Sequence, residues 1–427
     1  TPLLKKIKKK CDASKKKKKP QQLSLFIMNT LRRRRIPKPI PRIFEDDEYK
    51  QYTRPHNWRL LSLVGICWVL LIHYFERTRP QNTLSTCQWK NWEQWNSPDS
   101  AHRIVLIADP QIVDDYSYPK QFKIINYFTK KLADNYLHRN YEMIHSVLAP
   151  DTTIFLGDLF DGGRYWDDKQ WIDEYKRFTK IFPKKINRRD IRSIPGNHDI
   201  GFQTIRHKVV KRFAEYYGEL NDYIELGNHT LVLLDSISLS HPDKLIRKEP
   251  DNFLDQLNNR ISSTFPRILL THVPLFRNPV TQTCGPHREK RKPFPLQRGD
   301  QYQTVIEYEI SRRILNTIKP TLIFAGDDHD YCDITQEYDG GAAREITVKS
   351  AAMTGGIKHP AVQLLSLNTN EPTRTYETEM CYMPNAYHGL YAYITFLLLT
   401  SFFIDRSIVF LNLVWPLFIL NVYYMTI

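Results

Sequence analysis

The sequence predicts an α/β fold: a β-sandwich whose sheets are flanked by helices, with transmembrane helices at both ends. Three observations lead there. Short apolar runs alternate with longer amphipathic stretches between residues 101 and 370, the pattern of sheets covered by helices. Leu60–Phe75 runs sixteen residues without a formal charge. The segment 388–427 is largely apolar, broken only by Asp405-Arg406-Ser407 and by Asn412 and Asn421. At 427 residues, 41% hydrophobic and 12% aromatic, the chain has ample surface to bury, which excludes disorder as its main state. With 26 Pro against 16 Gly and no period, collagen-like and linker-like chains are excluded too.

Residues 1–57 form a basic cytosolic arm. The first 54 residues hold 18 Lys/Arg against five Asp/Glu, so the net charge of +15 resides almost wholly there. A nucleic-acid binder spreads positive charge over its folded face, so no nucleic-acid partner is expected. Ten lysines crowd residues 5–19, and Met28 precedes Arg32–Arg35. The expectation is that translation starts at Met28 and that 1–27 is not native; a genuine polybasic tail is the alternative.

Residues 58–76 read as a transmembrane helix. Sixteen residues at ~1.5 Å each cover ~24 Å, near the lower limit for a secretory membrane, and Trp58, Trp68 and Tyr74 suit interfaces. Arg32–Arg35, Lys38 and Arg42 place the N-terminus in the cytosol, which puts residues 81–385 in a lumen. The sequon Asn228-His229-Thr230 makes Asn228 a glycosylation candidate there. Residues 388–427 read as two further spans joined by a tight turn, with Pro416 tolerated inside the second. A helical hairpin that does not fully cross is the alternative.

Of six cysteines, Cys11 lies in the arm and Cys67 in the first span. Cys87, Cys284, Cys332 and Cys381 fall in the luminal block, where three pairings are open and one or two disulfides fit an oxidising compartment. No CxxC occurs, which leaves a zinc-ribbon or thioredoxin reading without support.

Within the block, strands are expected at Arg103–Ala108, Thr152–Leu156, Ile191–Ile194, Leu231–Leu234, Arg267–Thr271, Thr321–Ala325, Arg344–Lys349 and Val362–Leu367. Helices are expected near 121–148, 166–181, 205–217, 251–262 and 302–317. Few helices separate the late strands, which implies a second sheet. Five runs end in metal-type side chains: Asp109-Pro110-Gln111, Gly157-Asp158 through Asp161-Gly162-Gly163, Gly196-Asn197-His198-Asp199, Thr271-His272 and Gly326-Asp327-Asp328-His329-Asp330. The carboxyl ends of strands form the ligand crevice of α/β sheets, and glycine beside four of the five lets backbone approach an ion. Each piece alone has a bland reading, a helix cap for a lone Asp or a satisfied core histidine for Thr-His-Val. Five together, in order, point to a site for two divalent metal ions.

These residues resemble the calcineurin-like metallophosphoesterases. Leu270-Thr271-His272-Val273-Pro274, Cys284-Gly285-Pro286, Gly299-Asp300-Gln301-Tyr302-Gln303 and Gly326-Asp327-Asp328-His329-Asp330-Tyr331-Cys332 are similar to the fungal cell division control protein 1 group, a relative of the metallophosphoesterases that remodel GPI anchors. The resemblance implies a bridging Asp158, with Asp109, Gln111 and His329 completing one subsite and Asn197, His272 and Asp327 the other. It implies that His198 binds no metal and serves the scissile phosphate catalytically, with Asp199 orienting His198 and Asp161 in a supporting position. Gln111 stands where that superfamily has His, and Asp327 replaces another His. Such oxygen-rich ligation favours Mn²⁺ or Mg²⁺ over Zn²⁺, and Mn²⁺ is the expected metal.

The implied reaction is attack of a metal-bridging hydroxide on phosphorus. The implied substrate is the GPI-anchor glycan, losing ethanolamine phosphate from a mannose in the endoplasmic reticulum or Golgi membrane system and so supporting ER-to-Golgi transport of GPI-anchored proteins. The alternatives are a luminal phosphoesterase acting on a phospholipid or nucleotide, and a catalytically weak membrane regulator linked to manganese. Trp89, Trp92, Trp95, Tyr116, Tyr118 and Tyr165 are candidates for stacking on sugars or for packing.

Overall fold

The structure, a computed structural model, describes residues 58–368, 370, 374–403 and 409–425. The basic arm, Cys11, Met28 and the charged break at 405–407 therefore lie outside the described residues.

Among the described residues, thirteen strands form two sheets and a ribbon. The first sheet has the order β13 (Tyr376–Tyr382), β12 (Ala361–Leu367), β1 (His102–Ile107), β2 (Thr152–Phe155), β3 (Arg189–Ile191). The second runs β10 (Cys332–Tyr338), β11 (Gly341–Thr347), β9 (Leu322–Ala325), β6 (Arg267–Leu270), β5 (His229–Leu233), β4 (Asp222–Leu226). β7 (Arg298–Gly299) and β8 (Tyr302–Gln303) make the ribbon. Parallel pairs run through both sheets: β1 with β2 and β2 with β3 in the first, β5 with β6, β6 with β9 and β9 with β11 in the second.

Alternation along the strands decides which side chain enters which layer. Ile104, Leu106, Ile154 and Leu156 meet Leu231, Leu233, Ile268, Leu270, Leu322 and Phe324 between the sheets. Their neighbours Val105, Ile107, Phe155, Val232, Leu269 and Ile323 face outward into the helix layers. The helices supply the matching stripes: Tyr136, Leu137, Tyr141 and Ile144 from α3 (Lys123–Val147), and Phe178 and Ile181 from α4 (Asp168–Ile181). On the other side stand α8 (Lys244–Arg260) and α9 (Tyr308–Ile318) with Leu254, Leu257, Ile314 and Leu315. β2 and β9 are buried at every residue, which explains why they read as bare apolar runs.

The expected strands and helices appear with shifted boundaries; the helix expected from 302 begins at Tyr308, because Tyr302–Gln303 pairs with Arg298–Gly299 in the ribbon, and β3 ends at Ile191, where its strand was expected to begin. β4, β10 and β13 were not expected, because each is an edge strand whose polar residues mask the alternation. β10 alternates buried and open positions from Cys332 to Tyr338. The short helices α5 (Asn197–Ile200), α6 (His207–Tyr217) and α7 (Ser236–Leu239) complete the domain.

The leading apolar helix is longer than the charge pattern implied. α1 (Trp58–His73) continues through a π-helical turn at Tyr74–Thr78 into α2 (Arg79–Ser85). Among the described residues, 58–85 is the one helix long and apolar enough to cross a membrane. Glu76 does not end it, because its carboxylate is buried against the Arg139 guanidinium at 2.5 Å and accepts from the Tyr393 hydroxyl at 2.8 Å. α10 (Ala386–Phe403) and α11 (Val409–Met425) are apolar helices of 18 and 17 residues. Trp68 donates to the Asn412 side chain, which in turn donates to Thr400, so polar bonds join α1, α10 and α11.

Cys87 bonds to Cys381 and Cys284 to Cys332, resolving the pairing that spacing left open. Cys67 is a free thiol. The indoles Trp89 and Trp95 are buried, donating to the Leu148 carbonyl and the Ser366 hydroxyl. They pack the domain, whereas Tyr116 and Tyr165 are exposed.

Candidate metal centre

Parallel strands end at a common rim, and the chain turns there through left-handed backbone. Asp109, Gln111, Asp158, Asp327 and His329 all have φ between 36° and 66°, a region that costs non-glycine residues energy and concentrates at functional sites. Two glycines make the close approach possible. A Cβ on Gly196 would lie 2.0 Å from Asp158 Oδ1, and one on Gly157 (φ +89°) would lie 2.5 Å from His272 Nδ1.

The rim is laced across both sheets. Asp327 N–H donates to Asp109 Oδ1 at 3.0 Å, Gly326 N–H to the His272 carbonyl at 2.7 Å, and Gln111 N–H to the Asp158 carbonyl at 2.8 Å. Ser350 donates its hydroxyl to the Asp109 carbonyl at 2.9 Å. Side-chain atoms of Asp109, Asp158 and His272 lie within 4.8 Å of one another, all buried. His272 Nε2 stands 3.3 Å from Asn197 Oδ1, 3.4 Å from Asp158 Oδ1 and 3.7 Å from Asp327 Oδ1. Its Nδ1 is 2.7 Å from the Leu156 carbonyl, which can only accept, so Nδ1 carries the proton and Nε2 keeps its lone pair. His329 is fixed the same way, with Nδ1 3.0 Å from the Gly355 carbonyl.

These residues fit divalent cations. Asp109 Oδ2 is buried without a hydrogen-bond partner, a costly condition for a carboxylate unless a cation meets it. Burial, then the charge of Asp158, pushes Asp327 up to about 7, and burial with the carboxylates of Asp158 and Asp327 pushes Asp109 well above the usual range. Burial opposes a charge on His272, yet Asp158, Asp109 and Asp327 raise it well above ordinary imidazole. The pocket calls for positive charge, and a divalent cation supplies it while leaving the imidazole neutral.

Gln111 donates its amide to Asp161 Oδ1 at 3.0 Å, which leaves its oxygen as the available ligand atom. Asn197 donates its amide to the Gln301 carbonyl at 2.9 Å, turning its oxygen toward His272. Gln301 carried no expected role; its own side chain accepts from Phe202 N–H at 2.8 Å, so it braces the Asn197 turn. Only its place beside Asp300, in a stretch resembling a family, hinted at it.

His198 stands at the rim with its side chain about a quarter exposed. Its backbone N–H donates to Asp158 Oδ1 at 2.8 Å, and its Nδ1 lies 2.7 Å from the Asp161 carbonyl and 3.0 Å from Asp161 Oδ1. Burial opposes the imidazolium, but Asp158 and Asp161 raise it to about 9. The expected pairing of His198 with Asp199 is corrected. Asp199 instead accepts the backbone N–H groups of Leu159, Phe160 and Gly196 at 2.8–3.1 Å, tying two strand-end loops together. The reason is direction: the first turn of α5 points His198 out of the rim and Asp199 into the core. Asn228, the sequon residue, is exposed at the β4–β5 turn.

A family model described as calcineurin-like phosphoesterase matches residues 102–331. The chain is 50% identical over 366 residues to cell division control protein 1 of Saccharomyces cerevisiae, covering 81% of this chain and 74% of that protein. It is 24% identical to metallophosphoesterase 1 of Mus musculus over 76% of this chain and 82% of the relative. Among solved structures, the phosphopantetheinyl hydrolase of Mycobacterium tuberculosis aligns at a TM-score of 0.32 and 11% identity, over 58% of this chain and 88% of that one.

Proposed function

The chain belongs to the calcineurin-like phosphoesterase family, a family of metal-dependent phosphoester hydrolases, and from that premise we propose a phosphodiesterase anchored in a secretory-pathway membrane. Its substrate is the GPI-anchor glycan, from which it removes ethanolamine phosphate linked to a mannose. The observation that carries the hydrolase is the convergence of Asp109, Asp158 and His272 within 4.8 Å, with His198 open at the same rim. Likeness to metallophosphoesterase 1 supports the glycan substrate, and the helices flanking the domain support a membrane-borne one.

One subsite is assigned to Asp109, Gln111, Asp158 and His329, and the other to Asp158, Asn197, His272 and Asp327. These residues would hold two divalent ions, Mn²⁺ in this reading, which would supply Lewis acidity toward a phosphoryl oxygen and a lowered pKa for water. The protein's own part is orientation. Leu156 and Gly355 carbonyls aim His272 and His329, and Gln301 aims Asn197. Asp161 holds His198 Nδ1–H, leaving Nε2 to hydrogen-bond the phosphoryl group and to hand a proton to the departing sugar oxygen.

The membrane reading has α1, α10 and α11 crossing, with residues 81–385 luminal and 1–57 cytosolic. Two disulfides in that block and the exposed Asn228 sequon agree with an oxidising, glycosylating compartment. Mass spectrometry of GPI glycans from cells lacking the protein tests the substrate. The expected result is accumulation of one ethanolamine-phosphate-bearing mannose; an unchanged side-chain inventory rejects it.

A further inference from the structure

The start of α3 carries apolar side chains that no element among the described residues covers. Phe122, just before the helix, and Ile124, Ile125, Tyr127, Phe128 and Leu132 within it are 37–79% exposed. Farther along, the same helix is clamped: Tyr136 donates to the Pro384 carbonyl at 2.8 Å, and Arg139 meets Glu76. Leu132 lies at the changeover, lining a cleft with Phe75 of the leading helix and Gly389 and Leu390 of α10. The apolar surface therefore begins at the junction with the apolar helices and runs outward for ten residues, about 15 Å.

We propose that this first part of α3 inserts into the headgroup layer of the bilayer beside α1 and α10. The inference rests on the membrane placement of those helices proposed above. Continuity argues for lipid as the occupant: Leu132 shares its cleft with the apolar helices, and α10 exposes Tyr387, Tyr391 and Ile394 beyond it. Charge argues the same way. Lys120, Lys123 and Lys131 are exposed around the patch, where apolar stems and ammonium heads suit acyl chains and phosphate headgroups.

The segment that carries the patch also leads from the metal rim. Gln111 is eleven residues before Phe122. Between them the Tyr118 hydroxyl is pushed up by burial, then by Asp161 of the rim and Tyr387 of α10. A bilayer contact there brings the mouth of the site to the membrane surface, where a phosphoester borne by a lipid is presented.

Depth-dependent quenching tests the contact. The full-length chain, with Cys11→Ala and Cys67→Ala, carries single cysteines from Ile125→Cys, Phe128→Cys, Ile186→Cys or Leu63→Cys, each labelled with an environment-sensitive fluorophore. It is reconstituted in phosphatidylcholine–phosphatidylserine vesicles containing lipid spin-labelled near the headgroup. The expected result is about threefold stronger quenching at 125 and 128 than at the exposed control Ile186. Quenching at Leu63 alone overturns the α3 contact and keeps the membrane span. Quenching at none of the four overturns both. A label at 128 that is shielded from water yet unquenched, as a second protein copy would make it, also overturns the proposal. Hydrolysis of soluble bis(4-nitrophenyl) phosphate at the unsubstituted rate verifies that each variant is folded.

Discussion

His198, Asp161 and Asp199 lie within two short stretches of sequence and do different work. Asp161 touches the imidazole of His198, whereas Asp199 gathers three backbone N–H groups. His198→Ala is therefore expected to cut turnover by about 10²–10⁴-fold while metal content, read by inductively coupled plasma mass spectrometry, stays at the unsubstituted value. Asp161→Asn is expected to lower kcat by about tenfold and to shift the alkaline limb of the kcat–pH profile to lower pH, because Asp161 helps hold the proton on His198, with KM little changed. Asp199→Asn is expected to behave otherwise: it loosens the Asp158 and Asn197 turns together, so metal is lost and the melting temperature falls. The sequence named all three residues but gave the orienting role to Asp199, because two carboxylates stood close to one histidine and only the turn of α5 decides which one reaches it.

Among the elements, the strand ends were the most legible part of the chain. Asp109, Asp158, Asn197, His272 and Asp327 each follow a parallel strand, and the structure brings their side chains to one rim, with His329 two residues beyond Asp327. What the sequence could not carry were the edge strands β4, β10 and β13, whose residues obey partners far away in the chain, and the disulfides, whose pairing depends on three-dimensional proximity. Gly196→Ala is expected to abolish metal retention, since its Cβ would collide with Asp158 Oδ1; retained metal in an equilibrium-dialysis titration would show that the turn yields. On α3, His145 is held down to about 4 by burial, then by Lys185 and Arg188. A base depressed in the folded state is more protonated when unfolded, so its contribution is present above the ordinary imidazole value and fades as pH falls toward 4. Moving from pH 7 to 5 should cost about 2 kcal/mol through this group, and thermal melts of His145→Gln should lack that share of the loss.

At the scale of the whole molecule, a catalytic sandwich is coupled to its apolar helices through few polar links. Glu76 in the leading helix and Arg139 in α3 are buried and form one cluster with the half-buried Tyr393 of α10. Arg139→Met leaves the Glu76 carboxylate buried without its cation, and about 3–5 kcal/mol of stability is expected to go with it; the double variant Glu76→Gln with Arg139→Met should recover most of that in denaturant titrations. The apolar runs were visible in the sequence. The continuation of the leading helix past Glu76 was not, because a charge that ends a hydropathy pattern need not end a helix when its partner is supplied by another element.

The central claim is that this rim holds two divalent cations sharing Asp158. An anomalous-difference map from crystals of the protein grown with manganese tests it most directly. The account predicts two peaks, one bounded by Asp109, Gln111 and His329, the other by Asn197, His272 and Asp327, with Asp158 touching both. A single peak, or manganese bound away from Asp158, would contradict it.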